Sequence, residues 1–188
     1  MKNALILHGT DGHSKVNWFD WLRVELEHKG YEVWVPDLPG ANKPNIQRYN
    51  DFLFANKDWE FTQQTIIIGH SSGAVEILGL LEALPEGTNV GTCYLVGAFR
   101  NDLKWDALSD LFLKPFDFEK IKSKAKRFVF IHSDNDPYCP LEHAEYLSKQ
   151  LDGELIVKHG QKHFSVGTMG DSYREFPDLL ELIEQNQG

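Results

Sequence analysis

The sequence predicts a doubly wound α/β architecture with a parallel sheet, from three observations. Short apolar runs recur along the 188 residues, each followed by a segment with helical spacing. Most of these runs lack in/out alternation, as strands covered on both faces do. The connections are short, and no internal repeat or low-complexity linker divides the chain. A single domain over residues 1–188 is therefore expected.

The strand runs are Ala4–Leu7, Glu32–Val35, Thr65–Ile68, Thr92–Val96, Phe128–Ile131 and Glu154–Val157. After the first, Trp18, Trp21, Leu22, Val24 and Leu26 form an apolar stripe that stops at Gly30, a candidate C-cap. Ile46, Tyr49, Leu53 and Phe54 keep helical spacing within residues 45–54. Residues 73–84 carry Ala74, Val75, Ile77, Leu78, Leu80 and Leu81 and halt before Pro85. Leu141–Leu151 and Tyr173–Ile183 complete the predicted helices. The basic run Lys120–Arg127 precedes a strand and reads as a solvated helix end rather than an anion site.

Composition narrows the class. Hydrophobic residues make up 41% and charged residues 25%, the balance of a soluble globular protein and not of a disordered one. A net charge of −9, from 28 acidic against 19 basic residues, repels phosphate backbones, so nucleic acid is not an expected partner. Two cysteines, Cys93 and Cys139, do not make a disulfide framework, and Cys93 reads as a small core residue. No run approaches the about 18 apolar residues of a membrane helix. Ala4–Leu7 is too short for the apolar core of a signal peptide, so a cytoplasmic protein is expected.

The third strand runs straight into Gly69-His70-Ser71-Ser72-Gly73 and then a helix. A G-x-S-x-G run placed between strand and helix is the setting of a nucleophile elbow, in which Ser71 stands on a strained turn above the sheet. The competing reading, a glycine-rich turn with incidental serines, is weakened by that placement. A serine hydroxyl also needs a base and an acid to orient the base. Ser133-Asp134-Asn135-Asp136-Pro137-Tyr138-Cys139-Pro140 follows the fifth strand, and Lys158-His159-Gly160-Gln161-Lys162-His163-Phe164 follows the sixth. Both lie at carboxyl ends of strands, the edge on which Ser71 also sits.

Two acids and two histidines compete there. Asp136 is preferred to Asp134 because it lies deeper in its loop, with Pro137 and Pro140 fixing the exit. Asp134 is then a turn residue taking local backbone hydrogen bonds. His163 is preferred to His159, which follows the strand too directly. The His159-x-x-x-His163 spacing contains Gly160 and is not helical, so zinc is not expected; neither is any other metal or cofactor. The oxyanion donors expected are the Ser72 N–H, at a helix start, and the Thr10 N–H, in the loop His8–His13, with Gly9 allowing close approach. His8 is assigned to holding that loop, and His70 and His28 to structural roles.

His8-Gly9-Thr10, Asn17-Trp18-Phe19-Asp20-Trp21-Leu22 and Pro36-Asp37-Leu38-Pro39 resemble the opening of the small serine hydrolases of the retinoblastoma-binding-protein-nine type. The segments around Ser71, Asp136 and His163 fit that family's catalytic segments, and the resemblance spans nearly the whole chain. It implies a minimal three-layer α/β-hydrolase fold, lacking the usual first two strands, with a six-stranded parallel sheet flanked by helices on both faces. It also implies that Ser71, Asp136 and His163 occupy the family's triad positions; a small-molecule ester is the expected substrate, because the chain carries no large lid or peptide-reading insertion. The Leu-x-Cys-x-Glu pattern of the animal member is absent, so its protein partner does not carry over and any partner is open. A weakly active binding module, or a peptidase or thioesterase with the same triad, are the alternatives. Residues 99–118 admit two readings, a wall closing over the site or a helix packed on the sheet.

Overall fold

Strand β1 (Asn3–Leu7) is buried along its whole length because its side chains divide between two cores. Ala4 and Ile6 join one, and Leu5 and Leu7 the other. This period-two division requires helices on both faces of the sheet. The computed structural model describes residues 2–186 and supplies those helices. Helix α1 (Phe19–His28) and the C-terminal helix (Pro177–Gln185) bring Phe19, Leu22, Leu26, Leu179 and Ile183 against Ala4 and Ile6. On the opposite face, α2 (Ile46–Ala55), α3 (Ser72–Ala83) and α5 (Leu141–Gln150) bring Tyr49, Leu53, Ile77, Leu78 and Leu147 against Leu5 and Leu7.

The remaining strands are β2 (Glu32–Trp34), β3 (Thr65–His70), β4 (Val90–Val96), β5 (Ala125–Ser133) and β6 (Glu154–Lys158). All neighbours pair in parallel, in the order β2-β1-β3-β4-β5-β6. The chain moves outward from β1 to β2, then crosses back to β3 and continues the other way. This reversal opens a crevice at the carboxyl ends of β1 and β3, where α/β sheets of this kind bind ligands. The predicted six-stranded parallel sheet with helices on both faces is the architecture found. No helix among the described residues is long and apolar enough to cross a membrane.

Three segments depart from the sequence reading. The last helix starts at Pro177 and not at Tyr173, because Gly170–Tyr173 forms a separate 3-10 turn and proline favours the first helical turn. Residues 99–118 hold a 3-10 helix, Asp106–Leu111, instead of a long helix, and α4 (Phe118–Lys124) begins where that stretch ends. The basic run is not wholly solvated either. Lys124 is buried and donates to the Pro85 carbonyl at 2.7 Å, while Lys126 and Arg127 open β5.

Helix α3 fits closely against α2, since a Cβ on Gly79 would overlap the Ile46 side chain. One turn earlier α3 buries Glu76, neither of whose carboxyl oxygens has a hydrogen-bond partner among the described residues. Burial raises this carboxyl well above its ordinary value, so Glu76 is carried as the neutral acid.

Candidate active site

Ser71 sits between β3 and α3 at φ 58° and ψ −122°, a region an L-residue occupies only under strain. Its N–H donates to Val96 O at 2.8 Å. The flanking glycines are sterically required. A Cβ on Gly69 would overlap the Gly73 backbone, and one on Gly73 would overlap the carbonyl oxygens of Leu7 and His8. The elbow can therefore form only where β3, α3 and the end of β1 touch through bare backbone.

The loop after β1 presses on this turn, for a Cβ on Gly9 would lie 2.9 Å from Ser71 Cβ. Thr10 Oγ1 donates to Ser72 Oγ at 3.0 Å, tying the loop to the first residue of α3. The N–H groups of Asp11 and Gly12 are engaged by Ala41 O and Gly9 O. Those of Thr10 and Ser72 have no acceptor among the described residues, the condition a pair of oxyanion donors must meet. His8 holds the loop from beneath: its Nδ1–H donates to Gly9 O and its Nε2 accepts from Leu38 N–H, each at 2.9 Å. Burial lowers its pKa, so it serves this role as the neutral ring.

His163 and Asp136 meet on the far side of the crevice. His163 Nδ1–H donates to Asp136 Oδ2 at 2.6 Å, and the side chains are 8% and 1% exposed. Asp136 Oδ1 accepts from the N–H groups of Tyr138 (2.9 Å) and Cys139 (3.0 Å), which fixes the carboxylate plane. Burial by itself would raise the Asp136 carboxyl. The His163 hydrogen bond and charge and the two N–H groups outweigh it and hold the carboxyl below its usual range. The Tyr138 ring stands edge-on to His163 at 5.1 Å.

The other acid and histidine form a pair of their own. Asp134 accepts from His159 at 2.7 Å and from Gly160 N–H at 2.8 Å, with His159 87% exposed. Neither residue lines the cavity that holds Ser71. Their work is to brace the loops after β5 and β6 against each other.

His163 lies between two residues in the left-handed region, Lys162 (φ 47°) and Phe164 (φ 52°). Such a loop persists only where its surroundings over-determine it. His70 Nε2–H donates to His163 O at 2.8 Å, Trp18 Nε1–H donates to Phe164 O at 3.0 Å, and Val166 N–H donates to Asn17 Oδ1 at 2.9 Å. Burial and the neighbouring His163 push His70 down to about 3, so it is a neutral donor. Sequence reasoning gave His70 only a generic structural role, Trp18 a place in an apolar stripe, and neither Trp18 nor Asn17 a polar role. The available signal was an indole and an imidazole in segments otherwise destined for the core, since buried rings of this kind seek a polar partner.

Ser71, Thr10 and His163 line one cavity of about 360 Å³. Phe99, Leu103, Trp105, Leu108 and Tyr138 supply its apolar wall, with Trp105 and Tyr138 half exposed at the mouth. Residues 99–118 thus divide: the first part walls the site, and Leu111 and Phe116 line a separate cavity of about 510 Å³ with Asn50 and Lys114. That larger cavity contains none of the candidate catalytic side chains. Ser71 and His163 line the smaller cavity together, with no hydrogen bond between their side chains among the described residues.

A strained serine elbow at the switch point of a parallel sheet defines the α/β-hydrolase class. The chain matches the serine hydrolase family over residues 4–185 and belongs to it. It is 30% identical to YdeN of Bacillus subtilis over 161 residues, 85% of this chain and 84% of YdeN. It is 27% identical to the serine hydrolase RBBP9 of Rattus norvegicus over 187 residues, 96% of this chain and 93% of that protein. The crystal structure of the B. subtilis ydeN product superposes with a TM-score of 0.91 at 25% identity, covering 99% of this chain and 98% of the other. Est1E of Butyrivibrio proteoclasticus, solved with ferulic acid bound, shares the fold with a TM-score of 0.70 at 16% identity, over 98% and 90% of the two chains.

Proposed function

We propose that this serine hydrolase cleaves small carboxylic esters through an acyl-enzyme on Ser71, with His163 as general base and Asp136 orienting it. The observation that carries the reading is that His163, held by buried Asp136 at 2.6 Å, lines the same cavity as a serine in a strained turn. His163 Nε2 takes the Ser71 proton as Oγ attacks the carbonyl carbon, and Asp136 stabilises the imidazolium. The N–H groups of Thr10 and Ser72 receive the oxyanion. Collapse of the tetrahedral intermediate expels the alcohol, which His163 protonates. Water then attacks the acyl-enzyme with His163 again as base, and the carboxylic acid leaves. Esters are favoured by the apolar wall of Phe99, Leu103 and Trp105 and by the modest cavity volume.

Labelling with a fluorophosphonate tests the nucleophile. One label per chain is expected at Ser71, lost in Ser71→Ala and kept in Ser72→Ala; a folded wild type that takes no label refutes the reading and leaves a binding module. On p-nitrophenyl esters, Asp136→Asn is expected to lower kcat on the order of 10³–10⁴-fold, and Asp134→Asn far less. A larger loss at Asp134 reverses the choice of acid.

A further inference from the structure

We propose that Asp136, Cys139 and His163 form an inhibitory site for a thiophilic divalent cation such as Zn²⁺. The inhibitory effect rests on the reading of His163 as the base, whereas the binding site itself does not. A carboxylate oxygen, a thiol sulfur and an imidazole nitrogen from these residues all lie within 4.8 Å of one another. All are nine-tenths buried or more, with Cys139 1% exposed and the Asp136 and His163 side chains 1% and 8% exposed. A carboxylate, thiolate and imidazole set suits a borderline-soft cation, and three protein ligands leave a fourth position for water. Cys139 and His163 both border the active-site cavity, which gives the cation its route in.

The geometry needs little change. Zn–S of about 2.3 Å and Zn–N and Zn–O of about 2.0–2.2 Å place tetrahedral ligands roughly 3.3–3.7 Å apart. The His163–Asp136 pair, now at 2.6 Å, must part by about 1 Å, a distance short side chains cover by small rotations. Asp136 Oδ1 keeps its bonds from Tyr138 and Cys139 N–H, so the carboxylate stays anchored while Oδ2 turns to the metal.

Protons balance as follows. The Cys139 thiol gives its proton to solvent as the S–Zn bond forms. The Nδ1 proton of His163 is replaced by the metal and reappears on Nε2. An imidazole bound through Nδ1 and protonated at Nε2 has no lone pair for the Ser71 proton, so the nucleophile is left unactivated. Both cysteines are buried among apolar side chains, but Cys93 on β4 belongs to no such ligand group among the described residues, whereas Cys139 does.

Titrating the purified protein with Co²⁺ and with Zn²⁺ tests this. Co²⁺ is expected to give tetrahedral visible bands with a thiolate charge-transfer band in wild type and in Ser71→Ala, the latter band lost in Cys139→Ser and Cys139→Ala. Zn²⁺ is expected to stop ester hydrolysis reversibly on chelation. Half-inhibition in the cysteine variants, each referred to its own uninhibited rate, is expected to need about tenfold more metal or beyond. Absence of the thiolate band in wild type, which needs no variant to fold, overturns the site. Equal inhibition of wild type and both cysteine variants overturns it too. A thiolate band in a protein that hydrolyses no ester keeps the site and refutes the proposed activity instead.

Discussion

Gly97 follows β4 at φ +62°, directly beneath the His163 ring. A Cβ there would lie 3.1 Å from His163 Cε1 and 3.3 Å from Nδ1, so even alanine must push the imidazole or its own backbone. A left-handed L-residue costs about 1–2 kcal/mol, which lowers Tm by a few degrees in a chain of this size. Gly97→Ala is therefore expected to lower Tm by that amount and turnover by up to about 100-fold through displacement of His163, the proposed base. Thermal unfolding and steady-state ester kinetics check both; an unchanged kcat would show that His163 position is not limiting. At this scale the sequence was informative about residue types and preferred Asp136 with His163, but it did not foresee that Asp134 and His159 pair with each other. It presented Asp134, Asp136, His159 and His163 as rivals, whereas the structure uses all of them in two pairs. Which histidine turns inward depends on left-handed backbone at Lys162 and Phe164, which nothing about lysine or phenylalanine announces.

Helix α3 joins opposed demands in one element. Its first turn must approach β1 through Gly73, and its second turn buries Glu76 without a partner. Because burial raises the folded carboxyl above its ordinary 4.5, the unfolded chain loses this proton first as pH rises. Stability from Glu76 is thus intact below about pH 4.5 and eroded above it. Glu76→Gln keeps the shape of the neutral acid and cannot ionise. It is expected to unfold at higher temperature than wild type at pH 8, by about 1–3 kcal/mol of stability, and to match it near pH 4. Equal midpoints at both pH values would show Glu76 already paired. Elements with unbroken apolar spacing, α1, α2, α3 and α5, were legible because burial on one face dictates that spacing. The region 99–118 was not, since its aromatics serve two cavities on different sides of a 3-10 helix and keep no common period.

Over the whole molecule, acid stability is governed by buried rings. Burial lowers the pKa of His8, His70 and His132 from 6.5, that of His70 to about 3. Below pH 6.5 the unfolded chain takes up these protons before the folded chain does, so stability falls with falling pH, by up to about 1.4 kcal/mol per pH unit for each ring over the interval between its two pKa values. Asp136, held below its usual range, adds a loss of the same sign at lower pH. Urea midpoints measured from pH 7 to pH 5 are expected to drop steadily, and His70→Gln to flatten the slope by about one proton; an unaltered slope would assign the uptake elsewhere. The sequence disclosed that a parallel sheet exists but not its strand order, because each run is apolar enough to pair with several others. That order has a practical result. β1, β2 and β3 occupy one half of the sheet and β4, β5 and β6 the other, matching the two halves of the chain. Gly87, with open space around it, tops the turn from Pro85 to Thr88 that joins them. On the proposed mechanism, nicking the polypeptide there would leave the serine and its anion cradle on one fragment and the proton-transfer couple on the other. Neither piece could turn over substrate alone, and regained turnover would report that two fused bait proteins had brought the fragments together.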